Sequence, residues 1–522
     1  MHNKLKIFFS DDDLIQYGNF YKLKSSPTNS GQKGKLILVT SINPTPTGEG
    51  KTTTLIGLND CMNYYNQKSI AALRQPSIGP FLGIKGGATG SGQCEMQNPL
   101  LINSGLTGDF FAIETANNLI QSIIENEIYQ NSLLNIDPKR IFWNRCLDIN
   151  DRSLRKISYE LTNDVFLSSK FNITAASYLM ATFCLAKSKD DFKQKVNNTL
   201  VAYSKDNIPI YIRDLNIIDS IMLIMDNALN PNICFSKYDN PILVHGGPFA
   251  NIAHGCNSII ATQVGLNVAD IVFTEAGFGI DLGAEKFLNI KCREMQVVPN
   301  LVIIAVTIKS LKYHGGVELK KLDIENLEAI KIGFANLKKN VESITSFNLN
   351  FLIVINKFLK DTDGEINTLI NLCNENNYDV VVSTMWMDGP VNNKHIHDKM
   401  LEKINSHPSI NYTYALSDSV VDKANKIAKT IYGAKQVNFS ELALKKINDN
   451  YETIKEFYVC FAKTFSSLSD DSSKLNLPLN FDINVSDVEI NYSAKFVILI
   501  TSKVFLMPGL PKNPNAKIIK FK

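Results

Sequence analysis

The chain predicts an α/β fold built on a mostly parallel sheet, and three observations carry that expectation. Short β-branched runs alternate with longer helical patterns through most of the sequence, the signature of parallel strands joined by crossover helices. The runs are apolar at successive positions, which suits strands covered on both faces. At 522 residues the chain also exceeds what one compact core holds, so smaller α/β domains should accompany the main one.

In chain order, strands are expected at 35–41 (KLILVTS), 69–74 (SIAALR), 241–245 (PILVH), 270–274 (DIVFT), 301–307 (LVIIAVT), 350–355 (NFLIVI) and 379–383 (DVVVS). Helical patterns fill 51–66, 112–129, 175–187, 324–339 and 365–375 between them. No repeat of fixed period and no long linker marks a boundary, so divisions into 1–240, 241–346 and 347–522 rest on composition alone. Functional loops should follow the carboxyl ends of the strands, as in other open α/β sheets.

Composition narrows the function. With 54 basic against 51 acidic residues the net charge is +3, and no basic block interleaved with aromatics points to nucleic acid. Nine cysteines without CxxC pairs or His–Cys clusters suit reduced, mostly buried thiols. Asp11, Asp12 and Asp13 interrupt the N-terminal segment before any long apolar core, which argues against a leader. No apolar run approaches the roughly 18 residues of a membrane span. A cytoplasmic protein without membrane contact is the expectation.

The stretch NPTPTGEGKTTT, directly after the first strand, carries the chemistry. Strand, then Gly48-Glu49-Gly50-Lys51-Thr52, then helix is the context of a phosphate loop, and it makes the core one of phosphate-loop NTPase type. Loop N–H groups and the helix N-terminus favour an anion, Lys51 can reach outer phosphates, and the Thr52 hydroxyl can ligate magnesium brought with ATP. Thr45 stands where the usual loop has its first glycine, between Pro44 and Pro46, which stiffen the upstream side. The second strand ends in Arg74, which can offer two N–H donors to a phosphate or carboxylate, or form a structural ion pair. The glycine run GIKGGATGSG that follows contains Lys85, a further positive charge for the same cavity.

These residues resemble the formate–tetrahydrofolate ligases, also called formyltetrahydrofolate synthetases. The resemblance runs through TPTGEGKTTT, LRQPSIGP, GIKGGATGSG, LTGDF, NIDPKRIFW, VHGGPFANIAHGCNS, TEAGFGIDLGAEKF, INKF, AKTFSSLSDD and MPGLPKNP, in the family's order. The family's loop opens Thr-Pro-Thr-Pro where this chain reads Asn43-Pro44-Thr45-Pro46, so Thr45 is a family trait. The resemblance implies ATP-dependent joining of formate to the N10 amine of tetrahydrofolate through formyl phosphate. It implies an ATP site of Thr45, Pro46, Thr47, Gly48, Glu49, Gly50, Lys51 and Thr52, with Lys51, Arg74 and Asp109 catalytic and Thr52 on the magnesium ion. It also implies a folate slot between Phe358 and Trp386, contributions from His254 and Glu275, and a homotetramer. On residue type alone, Phe358 and Trp386 would be core aromatics, and the glycine-rich stretches around His254 and Glu275 tight turns.

The sequence departs from the family at polar positions. Gln75 replaces a glutamate associated with a monovalent cation, which argues against activation by such an ion. Gly105, Phe111 and Glu127 stand where the family has histidines, Tyr178 replaces a glutamate, Asp388 a lysine, Phe465 a glutamine, and Ser502-Lys503 a Gly-Asp pair. Two alternatives therefore stay open beside the ligase: a catalytically impaired homologue that binds nucleotide or folate, and another phosphate-loop ATPase.

Overall fold

The computed structural model describes residues 2–18, 20–26, 34–83, 88–105, 108–162, 164–501 and 504–519. Its centre is a ten-stranded sheet. In chain order the strands are β1 (Leu14–Tyr17), β2 (Phe20–Leu23), β3 (Lys35–Ser41), β4 (Ser69–Leu73), β5 (Asn232–Phe235), β6 (Pro241–Val244), β7 (Ile271–Glu275), β8 (Leu301–Val306), β9 (Phe351–Asn356) and β10 (Val380–Ser383). Across the sheet they run β1-β2-β5-β6-β4-β7-β3-β8-β9-β10. From β6 to β10 every pairing is parallel, and the edge β1-β2-β5 is joined to β6 by antiparallel pairings.

The apolar runs form these strands because both faces of the sheet are buried. On β3, Leu36 and Leu38 enter one hydrophobic cluster while Ile37 and Val39 enter another on the opposite face. The second cluster is closed by Leu55, Ile56, Leu58 and Met62 of helix α1 (Lys51–Tyr64). The first takes Ile113, Ile120 and Ile124 of α2 (Asp109–Tyr129), Ile260 and Val264 of α3 (Ile259–Val268), and Ile330, Leu337 and Val341 of α4 (Leu327–Ser346). A strand packed by helices on both faces has no polar side to alternate.

The sheet runs across both breaks that composition suggested. β5 pairs with β6 across residue 240, and β8 pairs with β9 across residue 346. Smaller sheets lie outside it, including a three-stranded one of Tyr458–Ala462, Phe496–Ile500 and Asp487–Asn491 near the C-terminus. All nine cysteines are buried and unpaired. Among the described residues no helix is long and apolar enough to cross a membrane.

Candidate functional site

Because the strands from β6 to β10 are parallel, their carboxyl ends share one edge, and the loops there bring distant residues together. β3 ends at Ser41, and α1 begins at Lys51 directly after Gly50, whose φ of 65° lies in the left-handed region. A Cβ at Gly50 would sit 2.5 Å from the side-chain amide Nδ2 of Asn356 at the end of β9, so a side chain here would have to displace that amide as well as adopt the positive φ. Gly48 also has positive φ, 78°.

Thr45 has a use that a glycine could not supply. Its N–H and its hydroxyl both donate to Glu49 Oε1, at 2.8 and 2.9 Å, and its hydroxyl lies 2.8 Å from that of Thr47. Pro46 between them fixes its own φ, so the upstream side of the loop is braced by a side-chain clasp. Glu49 is buried, and Thr307 at the end of β8 adds a long contact at 3.5 Å. Burial pushes the Glu49 carboxyl up, opposed by its Thr45 hydrogen bonds and the Lys51 charge.

Lys51 Nζ donates to Ser41 Oγ at 3.2 Å. Burial lowers its proton affinity, while Glu49 and Glu275 raise it and Arg74 lowers it further. Glu275, the last residue of β7, joins two other elements: Oε2 accepts from Thr52 Oγ1 at 2.8 Å, and Oε1 lies 3.4 Å from Arg74 Nη2. Arg74 Nη1 donates to Pro248 O at 3.2 Å, and its buried Nε has no partner among the described residues. Gly277 makes room for this guanidinium, since a Cβ there would come 2.7 Å from Nη1. The Thr52 hydroxyl and Glu275 are hard oxygen donors of the kind magnesium takes. Among the described residues no cluster of three or more His, Cys, Asp or Glu could hold a metal by itself.

Phe358 and Trp386, just past β9 and β10, are brought together: their ring centroids lie 5.5 Å apart at 56°. A flat ring stacked between two faces needs about 7 Å, twice the contact distance of carbon atoms, so these two must separate to admit one. Trp386 Nε1 donates to Ser91 Oγ at 3.1 Å, and Ser91 lies 3.3 Å from Thr53 Oγ1 on α1, which links the aromatic pair to the loop's helix.

The other candidates are placed differently. His254 is fully buried with neither ring nitrogen partnered among the described residues, and its ring meets Phe496 edge-on at 5.9 Å. Burial, aided by Lys291, Arg74 and Lys286, pushes its pKa down to about 3, so it is neutral at pH 7. Asp109, fully buried at the start of α2, accepts from Asn232 Nδ2 and from the Gly246 N–H, which sets it in the frame behind Arg74. Lys85 lies outside the described residues. Gln75 is buried and donates Nε2 to Ile102 O at 2.8 Å, a bond that a glutamate could not make when ionised. Phe465 stacks on Phe278 at 4.8 Å and 7°, next to the end of β3, where Ser41 Oγ lies 3.4 Å from Phe278 O.

Sequence reading missed Asn356, whose buried Nδ2 has no partner among the described residues and faces the loop, and Ser91. The position of Asn356 at a strand's carboxyl end was the available signal; Ser91 had none, because its neighbours come from other elements.

Fold and site define an α/β protein whose glycine loop and strand-end cluster of Lys51, Thr52, Arg74 and Glu275 lie at the carboxyl edge of a mostly parallel sheet. A family model described as formate–tetrahydrofolate ligase matches residues 3–522, and the chain belongs to that family. A protein of Malacoplasma penetrans named formate–tetrahydrofolate ligase is 54% identical over 523 residues, covering 100% of this chain and 98% of the relative. Proteins of the same name from Campylobacter concisus and Campylobacter curvus are 45% and 43% identical, over 99% and 98% of this chain and 94% and 93% of their own lengths.

Proposed function

We propose that this protein joins formate to tetrahydrofolate at the expense of ATP, giving 10-formyltetrahydrofolate, ADP and phosphate through formyl phosphate. The carrying observation is Glu275, which gathers Thr52 and Arg74 beside Lys51. Formate is a resonance-stabilised anion that an amine does not attack. One of its oxygens takes the γ-phosphoryl group as the bond to the β-phosphate oxygen breaks, and ADP leaves. The N10 amine then attacks the formyl carbon, phosphate departs with the activated oxygen, and the amine proton is lost.

Phosphoryl transfer needs positioning and charge neutralisation. The loop N–H groups and Lys51 would hold the phosphates. Arg74, with Nε uncommitted and both Nη atoms braced by Pro248 and Glu275, would face the formate and the acyl phosphate. Magnesium would sit against Thr52 and Glu275 and neutralise the phosphate oxygens. Phe358 and Trp386 would part to take the pterin. With a neutral Gln75, activation by a monovalent cation should be weak or absent.

The test is to incubate the protein with ATP, magnesium, formate and tetrahydrofolate. The expected result is 10-formyl product, with ADP release that depends on formate. ATP binding without product would place the non-catalytic homologue first.

A further inference from the structure

Phe278, three residues past the end of β7, holds a backbone conformation that its side chain disfavours. Its φ is 58°, and it is the only aromatic among the described non-glycine residues with positive φ. Most of the others are asparagines, whose short side chain tolerates the left-handed region. A strained residue of this kind persists where its surroundings over-determine it. Its chain neighbours touch both halves of the site. A Cβ at Gly277 would come 2.7 Å from Arg74 Nη1, and one at Gly279 would come 3.0 Å from Ile42 O at the start of the phosphate loop. The Phe278 carbonyl also ends a line of polar contacts from Lys51, whose Nζ donates to Ser41 Oγ at 3.2 Å, with Ser41 Oγ in turn 3.4 Å from Phe278 O. A different φ at Phe278 would move the acceptor behind Ser41 and the surface on which Arg74 rests.

What holds Phe278 comes from the C-terminal region. The Phe465 ring lies flat on the Phe278 ring, with centroids 4.8 Å apart and planes at 7°. One buried ammonium anchors both partners. Lys463 Nζ donates to Asp281 Oδ2 at 2.7 Å, three residues after Phe278, and to Thr464 O at 3.1 Å and Ser467 O. Residues 463–467 thus fold round that ammonium and carry Phe465 between them. Phe465 is 41% exposed, whereas a ring placed for the core alone would be buried. A glutamine, which the family has at this position, offers no ring to stack.

We propose that Phe465 is a positioning residue: by stacking on Phe278 it holds residues 277–279 in the strained conformation that sets Lys51 and Arg74, and so makes the strand-end site depend on the C-terminal region. This role rests on the ligase reading for its effect on turnover, and on nucleotide binding alone for its effect on ATP affinity.

The test compares the unmodified protein with Phe465→Ala, Phe465→Tyr, Phe278→Gly and the double variant Phe278→Gly/Phe465→Ala, reading melting temperature, ATP affinity by calorimetry and steady-state kinetics. Phe465→Ala should stay folded and bind ATP more weakly. Its kcat/KM for ATP should fall roughly 10-fold or more, while KM for tetrahydrofolate holds. Phe465→Tyr keeps the ring and should keep most of the affinity and turnover. Phe278→Gly should show the same loss as Phe465→Ala, because glycine leaves the left-handed region as readily as it enters it. Adding Phe465→Ala to it should lower neither readout further, since the two rings act as one unit. Unchanged ATP affinity and turnover in Phe465→Ala overturn the role, as does a double variant in which the two losses add in full. A Phe465→Tyr variant as impaired as Phe465→Ala also overturns it. If Phe465→Ala does not fold, Phe465→Leu decides: it keeps apolar volume without a flat face, and normal ATP affinity there overturns the role. If the unmodified protein makes no product, the ligase reading fails and the ATP titrations decide alone.

Discussion

Lys51 sits where burial draws its proton away and two carboxylates, Glu49 and Glu275, hold it on. A phosphate would add to the second effect, so this side chain is poised to gain more from an anionic ligand than an exposed lysine would. Lys51→Ala removes the contact to Ser41 Oγ and the positive charge that faces Glu49 and Glu275, none of which belongs to the hydrophobic core. We expect a folded protein and a fall in turnover of roughly 10²–10³-fold, with weaker ATP binding; steady-state kinetics and an ATP titration check it, and near-normal turnover would refute the role. Trp386→Ala should weaken tetrahydrofolate by roughly 1–3 kcal/mol. Its effect on ATP should be small, because the Trp386 Nε1 hydrogen bond goes to Ser91, one step removed from α1; equal losses for both ligands would mark it as a packing residue. Lys51 was legible as a candidate in the loop motif, and Trp386 through the family resemblance alone. The surroundings of Asp109 were not, since they come from β5 and the 246 loop, far away in the chain.

At the scale of elements, the strands read from apolar runs are the ones that run parallel, each within one residue of its observed ends. What escaped was the antiparallel edge, where LIQY, FYKL and NICF place Gln16, Lys22 and Asn232 inside short strands and break the apolar signal. α1 begins at Lys51 as expected, but the start of α4 escaped: it begins at Leu327 because Asn326 accepts the Ala329 N–H at 2.9 Å, a cap that periodicity does not reveal. The phosphate loop itself was legible as strand, glycines, Lys-Thr and helix, and its two glycines are now separable. Both have positive φ, which costs a non-glycine residue about 1–2 kcal/mol, but a Cβ meets nothing within 4 Å at Gly48 and meets Asn356 Nδ2 at 2.5 Å at Gly50. Gly50→Ala should therefore lose ATP affinity and stability more than Gly48→Ala does. Parallel thermal melts and ATP titrations of the two variants measure this, and equal effects would mean that strain alone matters.

For the whole molecule, composition could not reveal that one sheet spans residues on both sides of 240 and 346, because apolar runs announce strands without saying which ones pair. Nor could it reveal how the C-terminal region is fastened. There Lys463, directly after the strand Tyr458–Ala462, is fully buried and pairs with Asp281 Oδ2 at 2.7 Å, and Lys286 Nζ donates to Phe461 O at 3.0 Å. Asp281 lies in the wide turn Ile280–Ala284, just after β7 and Gly279, where a Cβ would come 3.0 Å from Ile42 O at the start of the phosphate loop. The pair thus ties the C-terminal sheet to the underside of the site. Removing one partner of a buried pair strands the other charge, at a cost of roughly 3–5 kcal/mol, whereas replacing both by apolar groups is often neutral. Lys463→Met should accordingly lower stability by about that amount, and Lys463→Met with Asp281→Leu should recover most of it. Denaturant unfolding of both variants, followed by tryptophan fluorescence and circular dichroism, is the measurement. If the pair is the fastening, the single variant unfolds in two steps, with the C-terminal region first, and the double variant returns to one; a single variant as stable as the unmodified protein would show that hydrophobic packing alone holds the regions together.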